Sequence, residues 1–152
     1  MNEFLNVAYK EAEKAFSEDE APIGAVIVKD GKIIAKAHNR REKNNIALAH
    51  AEILCIEKAC KKLKSWRLDG CELYVTLEPC LMCSGAITQA RIKKVYFGAL
   101  DKKNGTVLSL ATVFDDINTT HKVQYAYIED EKCSKILTEF FSKLRKFKKI
   151  SE

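Results

Sequence analysis

The chain has 152 residues, of which 47% are hydrophobic and 31% charged, the size and balance of one soluble domain spanning 1–152. That apolar content excludes intrinsic disorder of the body, and no apolar run approaches the ~18 residues of a membrane-spanning helix. The net charge of +5 is concentrated at the end, where residues 142–152 place Lys143, Arg145, Lys146, Lys148 and Lys149 against Glu152. A basic tail attracts polyanions such as nucleic acid, and cations at a helix C-terminus also complement the helix dipole.

From Glu3 to Phe16 apolar residues recur at helical spacing, and the charges interleaved with them leave no uncharged core for a signal peptide. A cytoplasmic address is expected. Pro22 ends this helix. Ile23–Val28 and Ile33–Ala37 read as two strands joined through Lys29-Asp30-Gly31-Lys32, because Asp-Gly suits a turn with two positive φ values. A polar segment, His38–Asn45, leads to a second helix over about Leu48–Leu63. Cys71–Leu77 alternates as a strand, and Pro79 is expected to open a short helix carrying Cys80, Cys83, Ala86 and Ile87 on its apolar face. Lys94–Leu100 and Val123–Ile128 read as further strands, and Glu131–Phe147 as a closing amphipathic helix. Between the last two strands, Thr106–Phe114 holds at most a short helix. Strands alternating with helices predict an α/β fold, a three-layer α/β/α sandwich around a five-stranded mixed sheet.

Six cysteines in a chain without an export signal point to buried thiols or metal ligands rather than disulfides. Two motifs stand out, His50-Ala51-Glu52 and Glu78-Pro79-Cys80-Leu81-Met82-Cys83. Together they read H-x-E followed by P-C-x-x-C, the pattern of zinc nucleobase deaminases. Cysteines three apart share a helix face, and imidazole with two thiolates suits zinc while leaving one tetrahedral position open. On an ideal helix His50 and Glu52 point about 200° apart, so both reach one site only if they straddle the helix start. A closed structural zinc site would need a fourth ligand, for which Cys55, Cys60, Cys71, His38 and His121 are the candidates.

At these residues the chain resembles the bacterial tRNA-specific adenosine deaminases of the cytidine deaminase-like superfamily. The resemblance rests on Ala49-His50-Ala51-Glu52, Ala21-Pro22-Ile23-Gly24-Ala25-Val26 and His38-Asn39-Arg40. It continues through Ser65-Trp66-Arg67-Leu68, Leu73 to Cys80, Val95 to Ala99, and Asp101, Gly105 and Ser109-Leu110. Phe140-Phe141 and Leu144-Arg145 resemble the family's closing helix. It implies one zinc per subunit held by His50, Cys80 and Cys83, Glu52 as the proton shuttle, and Asn39 at the target nucleoside. It also implies Asp101 beside the RNA backbone, a tRNA anticodon stem-loop as substrate, and a homodimer. The implied reaction converts adenosine to inosine at the first anticodon position, and the basic tail then has RNA phosphates to grip. Departures from the family pattern lie at Ala47-Leu48, Leu108 and Thr120, none of them in the metal set. A guanine or deoxycytidylate deaminase would share the metal residues and is the alternative. A non-catalytic RNA-binding module would have no use for Glu52.

Overall fold

A computed structural model describes residues 2–151. The elements in chain order are α1 (Glu3–Ser17), β1 (Gly24–Lys29), β2 (Lys32–His38), α2 (Arg41–Asn44) and α3 (Ala51–Leu63). They continue with β3 (Glu72–Val75), α4 (Leu81–Gln89), β4 (Lys94–Phe97), α5 (Val113–Asp116), β5 (Gln124–Tyr127) and α6 (Glu131–Ser151). The strands form one sheet in the order β2-β1-β3-β4-β5. β1 runs antiparallel to β2 and β3, whereas β3, β4 and β5 are mutually parallel, so the sheet is mixed as expected.

The β1–β2 turn takes positive φ at Asp30 (50°) and Gly31 (76°), the conformation that the Asp-Gly pair anticipates. Strand β1 is buried on both faces, and its side chains alternate between two cores. Ala25 and Ile27 join Ala51, Cys55 and Ala59 of α3 and Ile87 of α4 on one side. Val26 and Val28 join Leu5 and Ala8 of α1, Tyr74 and Cys133 of α6 on the other. The result is the three-layer sandwich, with α3 and α4 on one face and α1 and α6 on the opposite face. Gly24 and Gly98 are points of close approach: a Cβ on Gly24 would lie 2.0 Å from the Ala8 carbonyl oxygen, and one on Gly98 2.7 Å from the Cys133 sulfur.

Several element boundaries differ from expectation. Helix α3 starts at Ala51 rather than near Leu48, because Ala49 N–H and His50 N–H are turned back onto the carbonyls of Ile46 and Leu48. Pro79 does not open α4; Cys80 is the N-cap and Leu81 the first helical residue, so Pro79 belongs to the strand-to-helix turn. The segment expected to be a polar link contains the single turn α2, whose Glu42 and Lys43 amides donate to the buried Glu20 carboxylate at 3.0 and 2.7 Å. The short helix of the 101–121 segment is α5, at the C-terminal edge of the expected range. The closing helix runs four residues beyond Phe147.

Candidate active site

α3 and α4 lie on one face of the sheet with their N-termini converging beyond the C-terminal end of β3. His50 is the N-cap of α3 in an extended conformation (φ −75°, ψ 154°), and Glu52 lies in the first turn. The pair therefore straddles the helix start, the arrangement its two-residue spacing requires. Cys80 is likewise an extended N-cap (φ −78°, ψ 178°), with Cys83 buried within the first turn of α4. The His50 Nδ1 atom lies 3.7 Å from the Cys80 sulfur and 3.6 Å from the Cys83 sulfur. All three atoms fall within 4.8 Å of one another and could hold a metal ion. A tetrahedral zinc with ordinary Zn–N and Zn–S bonds needs N···S separations of about 3.5 Å, so the donor set fits that ion without rearrangement.

The residues that could have closed the site with a fourth ligand are engaged elsewhere. The Cys55 thiol faces the Ala25 and Ala35 carbonyls, and that of Cys60 faces the Trp66 carbonyl. His38 lies between Glu11 and Glu18, and His121 Nε2 meets the Ile92 carbonyl at 2.7 Å. Cys71 is buried in the core.

Hydrogen bonds couple the protons of the three groups. Hydrogen bonding from Cys83, and then from His50, holds the Cys80 thiol well below the ordinary thiol range despite burial. The same hydrogen bond to Cys80, together with burial, keeps the proton on Cys83. His50 is raised chiefly by its hydrogen bond to Cys80. A bound metal would displace the protons of Cys83 and His50, leaving two thiolates and a neutral imidazole to balance a dication, and both helix N-termini favour that negative charge. Glu52 is only 4% exposed, and burial pushes its carboxyl up to about 7, the range in which a group can both take and return a proton near neutrality.

Asn39 and Asp101 stand on two segments that hydrogen-bond to residues close in the chain to the ligands, Ala49 before His50 and Glu78 before Cys80. Asn39 is buried; its Nδ2 donates to the Ala21 carbonyl at 3.3 Å and its Oδ1 accepts from the Arg41 amide at 3.2 Å. Arg40 N–H then bonds the Ala49 carbonyl, which returns the segment to His50. Asp101 accepts the amides of Lys103 and Asn104 on its Oδ1 at 3.2 and 3.1 Å, closing a tight turn.

Two buried carboxylates to which the sequence assigned no role, Glu20 and Glu78, build these segments. Glu20 caps α2, as described above. Glu78 accepts from the backbone amides of Asp101, Val107, Leu108 and Ser109 and from the Ser109 hydroxyl. Burial opposes its ionisation, but the Ser109, Leu108 and Asp101 hydrogen bonds outweigh that and hold its carboxyl below the ordinary range. The signal for Glu78 was an acid between the apolar strand ending at Leu77 and the P-C-x-x-C motif, a place where an unpaired charge would be costly.

The MafB19-like deaminase family model matches residues 1–145. A tRNA-specific adenosine deaminase of Aquifex aeolicus is 52% identical over 142 residues, covering 93% of this chain and 94% of that protein. One from Bacillus subtilis is 47% identical over 147 residues, covering 96% and 91%. Among solved structures, one from a study of A-to-I editing by tRNA:A34 deaminases at the wobble position superposes with a TM-score of 0.85 at 44% identity, covering 88% of this chain and 98% of that one. A Bacillus subtilis guanine deaminase is less similar, with a TM-score of 0.64 at 33% identity, covering 93% and 95%. Sequence, fold and the His–Cys–Cys triangle with its adjacent glutamate thus agree, and the chain belongs to the tRNA-specific adenosine deaminase family.

Proposed function

We propose that this protein deaminates adenosine to inosine hydrolytically at the first anticodon position of a tRNA, with zinc held by His50, Cys80 and Cys83. The observation that carries the reading is the open three-ligand triangle beside buried Glu52, in a chain 52% identical to a tRNA-specific adenosine deaminase. Bound zinc supplies Lewis acidity that lowers the pKa of water toward neutrality.

Glu52 then has the proton work. It accepts the proton of the water that attacks C6 of adenine and returns it to the ring nitrogen. It next carries the remaining proton to the departing amine, so that adenosine and water yield inosine and ammonia. One carboxylate performs both transfers because it stands between nucleophile and base, and burial excludes competing water. Asn39, held by Ala21 and Arg41, orients the nucleoside, and the turn at Asp101 lies beside the RNA backbone. The target base must be splayed from the anticodon loop to enter such a site.

The enzyme works as a cytoplasmic homodimer in this reading. Exposed Leu81, Leu108 and Leu110, carried by segments bonded to the metal motif, supply apolar surface for a second copy. Among the described residues no helix is long and apolar enough to cross a membrane. Nucleoside mass spectrometry of an arginine tRNA with adenosine at the first anticodon position tests the activity, with free guanine and deoxycytidylate as controls. Inosine at that position alone is expected; turnover of a free compound with the tRNA untouched would overturn the reading. Glu52→Gln is expected to lower kcat by roughly 100-fold or more while zinc content and tRNA binding persist. Retained turnover would remove Glu52 from the mechanism.

A further inference from the structure

Segment 101–109 has no helix or strand of its own, yet one buried side chain, that of Glu78, bonds both its ends and its C-terminal turn. The Glu78 carboxylate lies 2% exposed at the centre of the segment. Its Oε1 accepts the Asp101 amide at 3.1 Å and the Ser109 hydroxyl; its Oε2 accepts the amides of Val107, Leu108 and Ser109 at 3.0, 2.8 and 3.0 Å. Gly105 is the complement of this arrangement. A Cβ there would stand 2.3 Å from the Glu78 carboxyl carbon, so the segment closes over the carboxylate only because position 105 has no side chain. A separate pair of contacts, Thr106 N–H to the Pro79 carbonyl at 2.9 Å and the Thr106 hydroxyl to that of Ser84 at 2.9 Å, docks the closed segment against the metal motif. Lys102, Lys103 and Asn104 are left exposed at its tip, with the backbone there fixed by Asp101.

We propose that Glu78 is a positioning residue for RNA recognition: it gathers segment 101–109 around its carboxylate and so presents the Lys102-Lys103-Asn104 tip to substrate phosphates in a preorganised shape. The inference rests on the tRNA reading above. It makes no claim on the chemical step, because neither the triangle nor Glu52 lies on this segment. Preorganisation acts on binding, since a segment that must be ordered on contact with RNA pays that entropy out of affinity.

The test uses zinc-loaded, full-length protein and two variants that disturb the same cradle from opposite sides. Glu78→Gln places an amide donor among backbone donors, and Gly105→Ala presses on an intact carboxylate and also on the Asp101 carbonyl oxygen, which its Cβ would approach to 2.6 Å; the φ of Gly105 lies outside the left-handed region, so alanine acts through bulk and not through a forbidden φ. Amide hydrogen exchange of the free protein reads the segment directly, and kinetics on an anticodon stem-loop read the consequence. In both variants the 101–109 amides are expected to exchange about tenfold faster or more. KM for the stem-loop is expected to rise about tenfold, with kcat within about threefold of wild type and zinc still one per chain. Unchanged exchange in either folded variant would overturn the proposal. So would a fall in kcat with zinc loss at unchanged KM, which would make Glu78 a support of the metal motif. If Glu78→Gln fails to fold, Gly105→Ala decides the matter alone. Wild-type protein inactive on every RNA would remove the tRNA reading, whereas the exchange experiment would still report whether Glu78 orders the segment.

Discussion

Glu11 shows how a single buried side chain makes stability depend on pH. It is only 5% exposed on α1, with Oε2 2.7 Å from Lys14 Nζ and Oε1 3.4 Å from His38 Nδ1. Burial alone would raise its pKa, but hydrogen bonds from Lys14 and His38 outweigh burial and lower it from the ordinary 4.5. A carboxyl depressed in the folded state contributes stability that is present above its unfolded pKa and lost as pH falls through the folded one. The urea midpoint is therefore expected to drop as pH falls from about 5 toward 3. Glu11→Gln should flatten that drop and cost about 1 kcal/mol at neutral pH; an unchanged acid limb would remove Glu11 from the balance. His50, Glu52, Cys80 and Cys83 were all legible in the sequence, because spacings of two and three residues already imply one helix start and one face. Glu11 with His38, and Glu78 with Ser109, were not: their partners stand 27 and 31 residues away, and no local pattern records such a meeting.

Elements were legible where a local rule had no competitor. The interleaved face of α1, the Asp-Gly turn between β1 and β2, and the amphipathic α6 follow from periodicity and turn chemistry, and the structure contains all three. The starts of α3 and α4 were misjudged because the apolar run Ala47-Leu48-Ala49 extends the helical pattern and proline often begins a helix. In the folded chain His50 and Cys80 are instead withheld from winding, which lets each side chain turn toward the other. Gly24 sets how closely α1 approaches β1, since a Cβ there would lie 2.0 Å from the Ala8 oxygen and 2.5 Å from the Ala12 nitrogen. Both of those are backbone atoms that cannot rotate away. Gly24→Ala is therefore expected to destabilise by about 3 kcal/mol, read from denaturant unfolding. A loss below about 1 kcal/mol would mean that α1 shifts on the sheet freely.

For the whole molecule, charge and fold divide the work. The cations of α6 end a helix whose earlier part packs on α1, where the Phe16 and Phe140 rings meet at 6.0 Å. Arg145, Lys146 and Lys149 are exposed beyond that contact. If they meet tRNA phosphates, replacing the three with Gln weakens binding at low salt and flattens the plot of log affinity against log salt by about 2, at ~0.7 per phosphate for single-stranded RNA. An unchanged slope in filter binding would place the RNA contact elsewhere. The sequence by itself made legible the three-layer α/β/α class and the two motifs that carry the candidate metal ligands His50, Cys80 and Cys83 and the candidate proton shuttle Glu52, because each motif is written in spacings of two or three residues. The tertiary structure alone decided the order of strands in the sheet, the true starts of α3 and α4, and the carboxylate cradles of Glu20 and Glu78. The cradles depend on backbone donors brought to a carboxylate from 22 to 31 residues away, where burial makes an unpaired donor costly.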